Sequence, residues 1–248
     1  MLVRLFLVQQ SNLLDEIFVF GLQSLQPLDL KPLSTSGPYR VLREDVDSEK
    51  FETHMSILSI LLSFLLWGLI HSIFASLSFK SSLADLLGKS LMRGYRLFYN
   101  IFSAISFLPI LWLVATLPDA PLYTIPAPWS YPMLLGQGIG LVLLIVGVLQ
   151  TDTLSFVGLR QLFEEEKSTS LVMVGLYRLV RHPLYTAGLL VLWLSPQVTV
   201  NSFTMYVGAT IYILVGAFFE ERKLLCEFGD SYKEYKSHTP MLIPWLKF

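Results

Sequence analysis

Apolar runs of bilayer length recur along this chain and leave few folds open to it. A hydrocarbon core needs about 20 apolar helical residues to be crossed, and residues 56–79, 95–117 and 132–150 each supply that length with little or no charge. A fourth apolar segment, Leu184–Leu194, is broken at Pro196, and a fifth covers Phe203–Phe219. Pro196 either ends a short span or kinks a re-entrant one, because the uninterrupted run is shorter than a bilayer requires. Charged residues make up 15% of the chain, against about 25% in a water-soluble domain. The expected fold is all-α: a polytopic membrane protein of about five transmembrane helices with a cytoplasmic C-terminal cofactor-binding region, its natural partner the lipid bilayer.

Several function classes fall away. The net charge is −1 with no basic stripe, so no nucleic-acid partner is indicated. Cys226 is the single cysteine, which excludes an intrachain disulfide; it reads as a small apolar filler near a helix end. No Cys/His cluster has zinc-ligand spacing, and no GxGxxG, P-loop or GxSxG motif is present. Nothing in the pattern signals an oligomeric state.

Residues 1–54 look unlike the rest, with Pro27, Pro32, Pro38, scattered charges and only short apolar patches. They read as an N-terminal extension, either a disordered tail or the product of an upstream start with Met55 as the working one. Residues 55–248 read as one membrane domain. After Met55, every lysine and arginine falls in or beside the first loop, in the Thr151–Arg181 connector, or in the tail beyond Glu220. The positive-inside rule makes those segments cytoplasmic, which needs an odd number of spans and a C-terminus inside. Five spans satisfy this, in a bacterial-type inner membrane.

The chemistry-bearing stretch is GLYRLVRHPLY, Gly175–Tyr185. Pro183 has φ preset and no N–H to lose, so it suits the first turn of a helix. Arg181 and His182 then sit at that helix's N-terminal mouth, where free N–H groups favour an anion. The competing reading is that the arginines and tyrosines are interfacial anchors only. Downstream, Glu220 and Glu221 stand where the last span leaves the apolar phase, against the helix dipole and where lysine or arginine would be the usual anchor. The pair either meets the collar's arginines or awaits a cationic ligand. Gly229 reads as the helix stop, with Tyr232 and Tyr235 folding back over it as packing or as ligand contacts. His71, inside the first span, is either functional or hydrogen bonded to a neighbouring helix. Gly68, Ser72, Ala75 and Ser76 around it let such a helix approach closely.

GLYRLVRHPLYTAG, followed a hairpin later by EERKLLCEFGDSYKEYKSHTPMLIP, resembles the membrane methyltransferases related to isoprenylcysteine carboxyl methyltransferase and the phospholipid N-methyltransferases. FVGLRQLF at Phe156–Phe163, WLSPQVT at Trp193–Thr199 and the TPMLIP ending are, more narrowly, similar to bacterial methanethiol S-methyltransferases. The resemblance implies S-adenosylmethionine as cofactor. Gly175, Leu176, Tyr177, His182, Pro183, Leu184 and Tyr185 would line it, and Glu220 with Glu221 would hold its cationic end. The acceptor would be small and apolar, a thiol such as methanethiol. Its thiolate is the nucleophile, and His182, Arg181 or Arg178 would lower its pKa. The prenylcysteine enzymes carry an arginine about a turn before the acidic pair; Gly216 stands at that place here, which argues against a carboxylate substrate.

His71 in GLIHSIFASL, with Arg96 downstream, also resembles NnrU-type proteins and the plant ζ-carotene isomerase. That resemblance implies haem b, with His71 and His182 as axial ligands. The glutamate pair, lacking in the isomerase-like sequences, favours the methyltransferase. A membrane scaffold whose collar only anchors is the non-enzymatic alternative.

Overall fold

The computed structural model describes residues 38–164 and 171–246. Most of the N-terminal extension, and Glu165, Glu166 and Lys167 of the connector, lie outside the described residues. The chain divides into two compact units, residues 1–46 and 47–248; the second carries the spans and the candidate site. Among the described residues, four helical segments are long and apolar enough to cross a membrane: Ser48–Ala75, Tyr95–Thr116, Ser130–Leu149 and Val200–Phe228. Pro183–Trp193 is apolar but shorter.

In chain order the helices are α1 (Pro38–Ala75), α2 (Leu77–Leu87), α3 (Lys89–Met92), α4 (Tyr95–Thr116), α5 (Ser130–Leu149), α6 (Thr153–Val157), α7 (Pro183–Trp193), α8 (Val200–Phe228) and α9 (Asp230–His238). Helix α1 ends where Ser76 adopts an extended conformation and caps α2, its side chain accepting from the Phe79 N–H. Pro183 occupies the first turn of α7, as its fixed φ predicts. Gly229 stops α8 with φ +55°, and α9 follows at once.

Two short strands, β1 (Pro121–Thr124) and β2 (Gln197–Thr199), pair antiparallel and join the α4–α5 and α7–α8 turns. Asp119, the one charge of its loop, accepts from the Asn201 N–H at 2.9 Å, where the free N–H groups of α8's first turn favour an anion. Asn201 is fully buried and donates to the Leu117 and Pro118 carbonyls. A Thr199–Ser202 capping box completes this start. One end of the bundle is thereby fastened; the connector and α9 lie at the other.

Glycines set the closest helix contact. A Cβ on Gly140 of α5 would meet Val191 Cγ2 at 2.9 Å and the Ala187 carbonyl oxygen at 3.1 Å; on Gly147 it would meet Leu184 Cδ2 at 2.7 Å. Helices approach this way in lipid, where small residues replace the hydrophobic driving force. Gln137 adds a 2.7 Å hydrogen bond to the Val191 carbonyl. Gly140→Val should therefore cost about 1–3 kcal/mol by overpacking, read as a lower unfolding midpoint in detergent. Gly138→Val is the control, since its Cβ would meet nothing.

Candidate active site

The connector folds over the bundle end through a clasp at Gln150. Gly175 has φ +61°, and a Cβ there would strike the Gln150 amide at 2.4–2.5 Å. Only glycine tolerates both that conformation and that approach. The Gln150 side chain accepts from the Leu176 N–H at 2.9 Å. The turn Gly175–Arg178 comes next and brings Tyr177 against α9, where the Tyr235 hydroxyl donates to the Tyr177 carbonyl at 2.5 Å. Burial pushes the Tyr235 phenol up to about 12, so it remains a neutral donor. Burial, then the nearby Glu220 charge, raises the Tyr177 phenol as well.

The tail strap occupies part of the α7 mouth. The Arg181 N–H donates to the Pro240 carbonyl at 2.9 Å and the His182 N–H to the Met241 carbonyl at 3.1 Å. The Thr186 hydroxyl donates to the Leu242 carbonyl at 2.7 Å. Of the N–H groups that the helix mouth at His182–Leu184 would offer to an anion, that of His182 is thus taken by the chain's own carbonyl.

The two glutamates have different surroundings. Glu221 is buried: the Arg181 guanidinium donates to its Oε1 at 2.6 Å through Nε, with Nη2 at 2.5 Å, and Lys236 Nζ donates to its Oε2 at 2.6 Å. The Arg181 side chain is 3% exposed and also donates to the Thr239 carbonyl at 2.5 Å. Such a fork on one carboxylate is charge-assisted and geometrically specific. Glu220 is 45% exposed and accepts from the Tyr185 hydroxyl at 2.8 Å. His182 lies between the two, with Nδ1 3.6 Å from Glu220 and Nε2 3.5 Å from Glu221. Its ring stacks on Tyr185 at 5.3 Å. His182 Nε2 is buried without a hydrogen-bond partner.

A cavity of about 1330 Å³ opens before this group. Tyr177, Arg181, His182, Pro183, Leu184, Tyr185 and Glu220 line it; Gly175, Leu176, Arg178 and Glu221 do not. Gly175 and Leu176 form the clasp, Arg178 is exposed on the turn, and Glu221 is turned towards Arg181 and Lys236. The opposite wall is Arg93, Arg96, Tyr99 and Asn100 of the first loop and α4; of these only Arg96, in the resemblance that also names His71, carries a sequence expectation. Arg96 reaches the Ser155 carbonyl at 2.9 Å and Asn100 the Val157 carbonyl at 2.8 Å, tying that wall to the connector. The signal was available as four polar residues crowded into the start of a span, where lipid contact alone would not place them. The arrangement can hold a cation at Glu220 beside aromatic faces, within a volume above the roughly 300–1,000 Å³ of ordinary ligand sites.

His71 lies behind that wall, against Tyr99, and does not itself line the cavity. Its Nε2 is hydrogen bonded to the Tyr99 hydroxyl and its Nδ1 to Ser103 Oγ at 2.9 Å. Trp67 stacks on the ring at 4.8 Å. Both nitrogens being engaged, the imidazole offers no lone pair to a haem iron without breaking a bond, so the donor set does not fit the axial pair. Among the described residues, no three His, Cys, Asp or Glu side chains converge for a metal ion.

A family model described as NnrU protein matches residues 59–240. The chain is similar to the methanethiol S-methyltransferase of Crocosphaera subtropica, 31% identical over 218 residues, covering 83% of this chain and 82% of that one. It is similar to methanethiol S-methyltransferase 2 of Bradyrhizobium diazoefficiens, 30% identical with 77% and 74% covered. The methanethiol S-methyltransferase of Mycobacterium tuberculosis is 29% identical, with 71% and 72% covered. No solved structure matches.

Proposed function

Since this chain belongs to the NnrU protein family, we propose that it is an integral membrane methyltransferase moving a methyl group from S-adenosylmethionine to a small thiol such as methanethiol. Relatives named for that activity, aligned over most of the chain, support the reaction. The observation that carries the site is Glu220: a half-exposed carboxylate in the cavity wall, aimed by Tyr185 and flanked by His182. The cavity volume and the half-exposed carboxylate fit a ligand with one cationic end.

When bound, S-adenosylmethionine supplies a methyl group on a cationic sulfur, open to in-line displacement by a thiolate. The chain's part is to place, orient and dry the reactants. Glu220 holds the positive end; Tyr177 and Tyr185 offer ring faces to it. Pro183 and Leu184 supply apolar wall. Arg181 does not reach for substrate; it pins Glu221, and through Glu221 and the tail strap it keeps the His182 corner in place. By the distribution of lysine and arginine, this end of the bundle faces the cytoplasm from an inner membrane.

Purified full-length protein given methanethiol and S-adenosylmethionine should release dimethyl sulfide into the headspace. Absence of that product, with the methyl donor bound, would sink the assignment of a thiol acceptor.

A further inference from the structure

Methylating a thiol, the proposed function on which this inference rests, requires somewhere for the substrate proton to go. Three carboxylates line the cavity, Glu220, Asp152 and Glu164; Glu220 is committed to a cation and Asp152 to Arg160 and Ser155, and the wall of α4 carries an alternative acceptor. Tyr99 lines the cavity, and its hydroxyl is hydrogen bonded to His71 Nε2 on α1. The direction of that bond is fixed by the neighbours. Ser103 Oγ donates its only hydrogen to the Tyr99 carbonyl at 2.7 Å. Towards His71 Nδ1, 2.9 Å away, it can only accept. Nδ1 therefore carries the ring hydrogen in the neutral imidazole, and Nε2 presents a lone pair that the Tyr99 O–H fills as donor. Tyr99 keeps oxygen lone pairs for a donor in the cavity. Trp67, stacked on the imidazole and held by its own 3.1 Å hydrogen bond to Ser106, provides a ring face for a cation.

We infer that Tyr99 and His71 form the proton-accepting arm for the thiol substrate: the geometry is a cavity-lining tyrosine whose hydroxyl is backed by an imidazole that accepts from it through Nε2. In the step, the substrate S–H bond breaks and its proton passes to the Tyr99 oxygen as the Tyr99 proton passes to His71 Nε2. The sulfur pair forms the new bond to the methyl carbon. The old carbon–sulfur bond breaks with its pair left on the donor sulfur, and His71 holds one positive charge. That proton returns through Tyr99 to water once the thioether has left. Tyr99 is the catalytic residue of the pair; His71 and Ser103 act through it as positioning residues.

Two measurements on the full-length protein in detergent test this. Nitrogen NMR of histidine-labelled protein at neutral pH should show His71 with hydrogen on Nδ1 and a bare Nε2; hydrogen on Nε2 overturns the arm. Tyr99→Phe and His71→Asn should lower turnover of methanethiol on the order of a hundredfold. An arenethiol, already ionised at neutral pH, should fall only a few-fold, and S-adenosylmethionine affinity should hold. Equal losses for both thiols, or no loss, overturn it. Tyr99→Phe removes only an oxygen and carries the test if His71→Asn fails to fold. Wild-type protein that methylates neither thiol sinks the functional reading; wild-type turnover with variants blind to thiol acidity sinks only the proton arm.

Discussion

Glutamine in place of Glu220 should weaken S-adenosylmethionine binding by about ten- to a hundredfold while barely moving the unfolding midpoint, since a hydrogen bond or contact to a charged group is worth about 1.5–3 kcal/mol. The carboxylate is 45% exposed and rests on one phenol, Tyr185, so the folded protein loses little without its charge. Glutamine keeps the shape and can still accept from Tyr185, which isolates the charge as the variable. Glu221→Gln should do the reverse, lowering stability first. Calorimetric titration of both variants separates the two carboxylates. Equal affinity losses with equal destabilisation would show that they work as one unit.

Arg181→Met is expected to cost about 3–5 kcal/mol, because removing one partner of a buried pair strands the other's charge. Glu221 is 8% exposed and Arg181 3%, so both are largely shielded from water. The arginine also donates to the Thr239 carbonyl, and its loss loosens the strap on His182. Lys236 still neutralises part of Glu221, but from a half-exposed position, and Lys236→Met should cost only about 0.2–1 kcal/mol. The midpoint of thermal unfolding in micelles should fall on the order of 10 °C for Arg181→Met. Comparable losses in the two variants would move the weight of the pair from Arg181 to Lys236.

The sequence already held the span order, the helix start at Pro183, the stop at Gly229 and the meeting of the histidine corner with the glutamates. Each rests on a local rule: run length, a fixed φ, a positive φ, a charge in the wrong place for an anchor. The different surroundings of Glu220 and Glu221 come from an equally simple rule, that neighbours on a helix point about 100° apart, but which of them faces inward depends on how α8 packs. The ribbon of β1 and β2 was not legible, because PLYT and QVT are too short to show alternation. The wall of Arg93, Arg96, Tyr99 and Asn100 was hidden as the ordinary basic flank of a span. His71 is equally suited by sequence to a ligand or to a neighbouring helix; hydrogen bonds with Tyr99 and Ser103 settle its contacts.

Helix α7 has eleven residues, about 16 Å of rise, roughly half of what the hydrocarbon layer demands. Such a piece has too little apolar length to partition from the insertion machinery into lipid by itself. It must enter as one limb of a helical hairpin with α8, after α5 is present to receive it at Gly140 and Gly147. Assembly in this order means that the His182 corner at the head of α7 forms only with the last step.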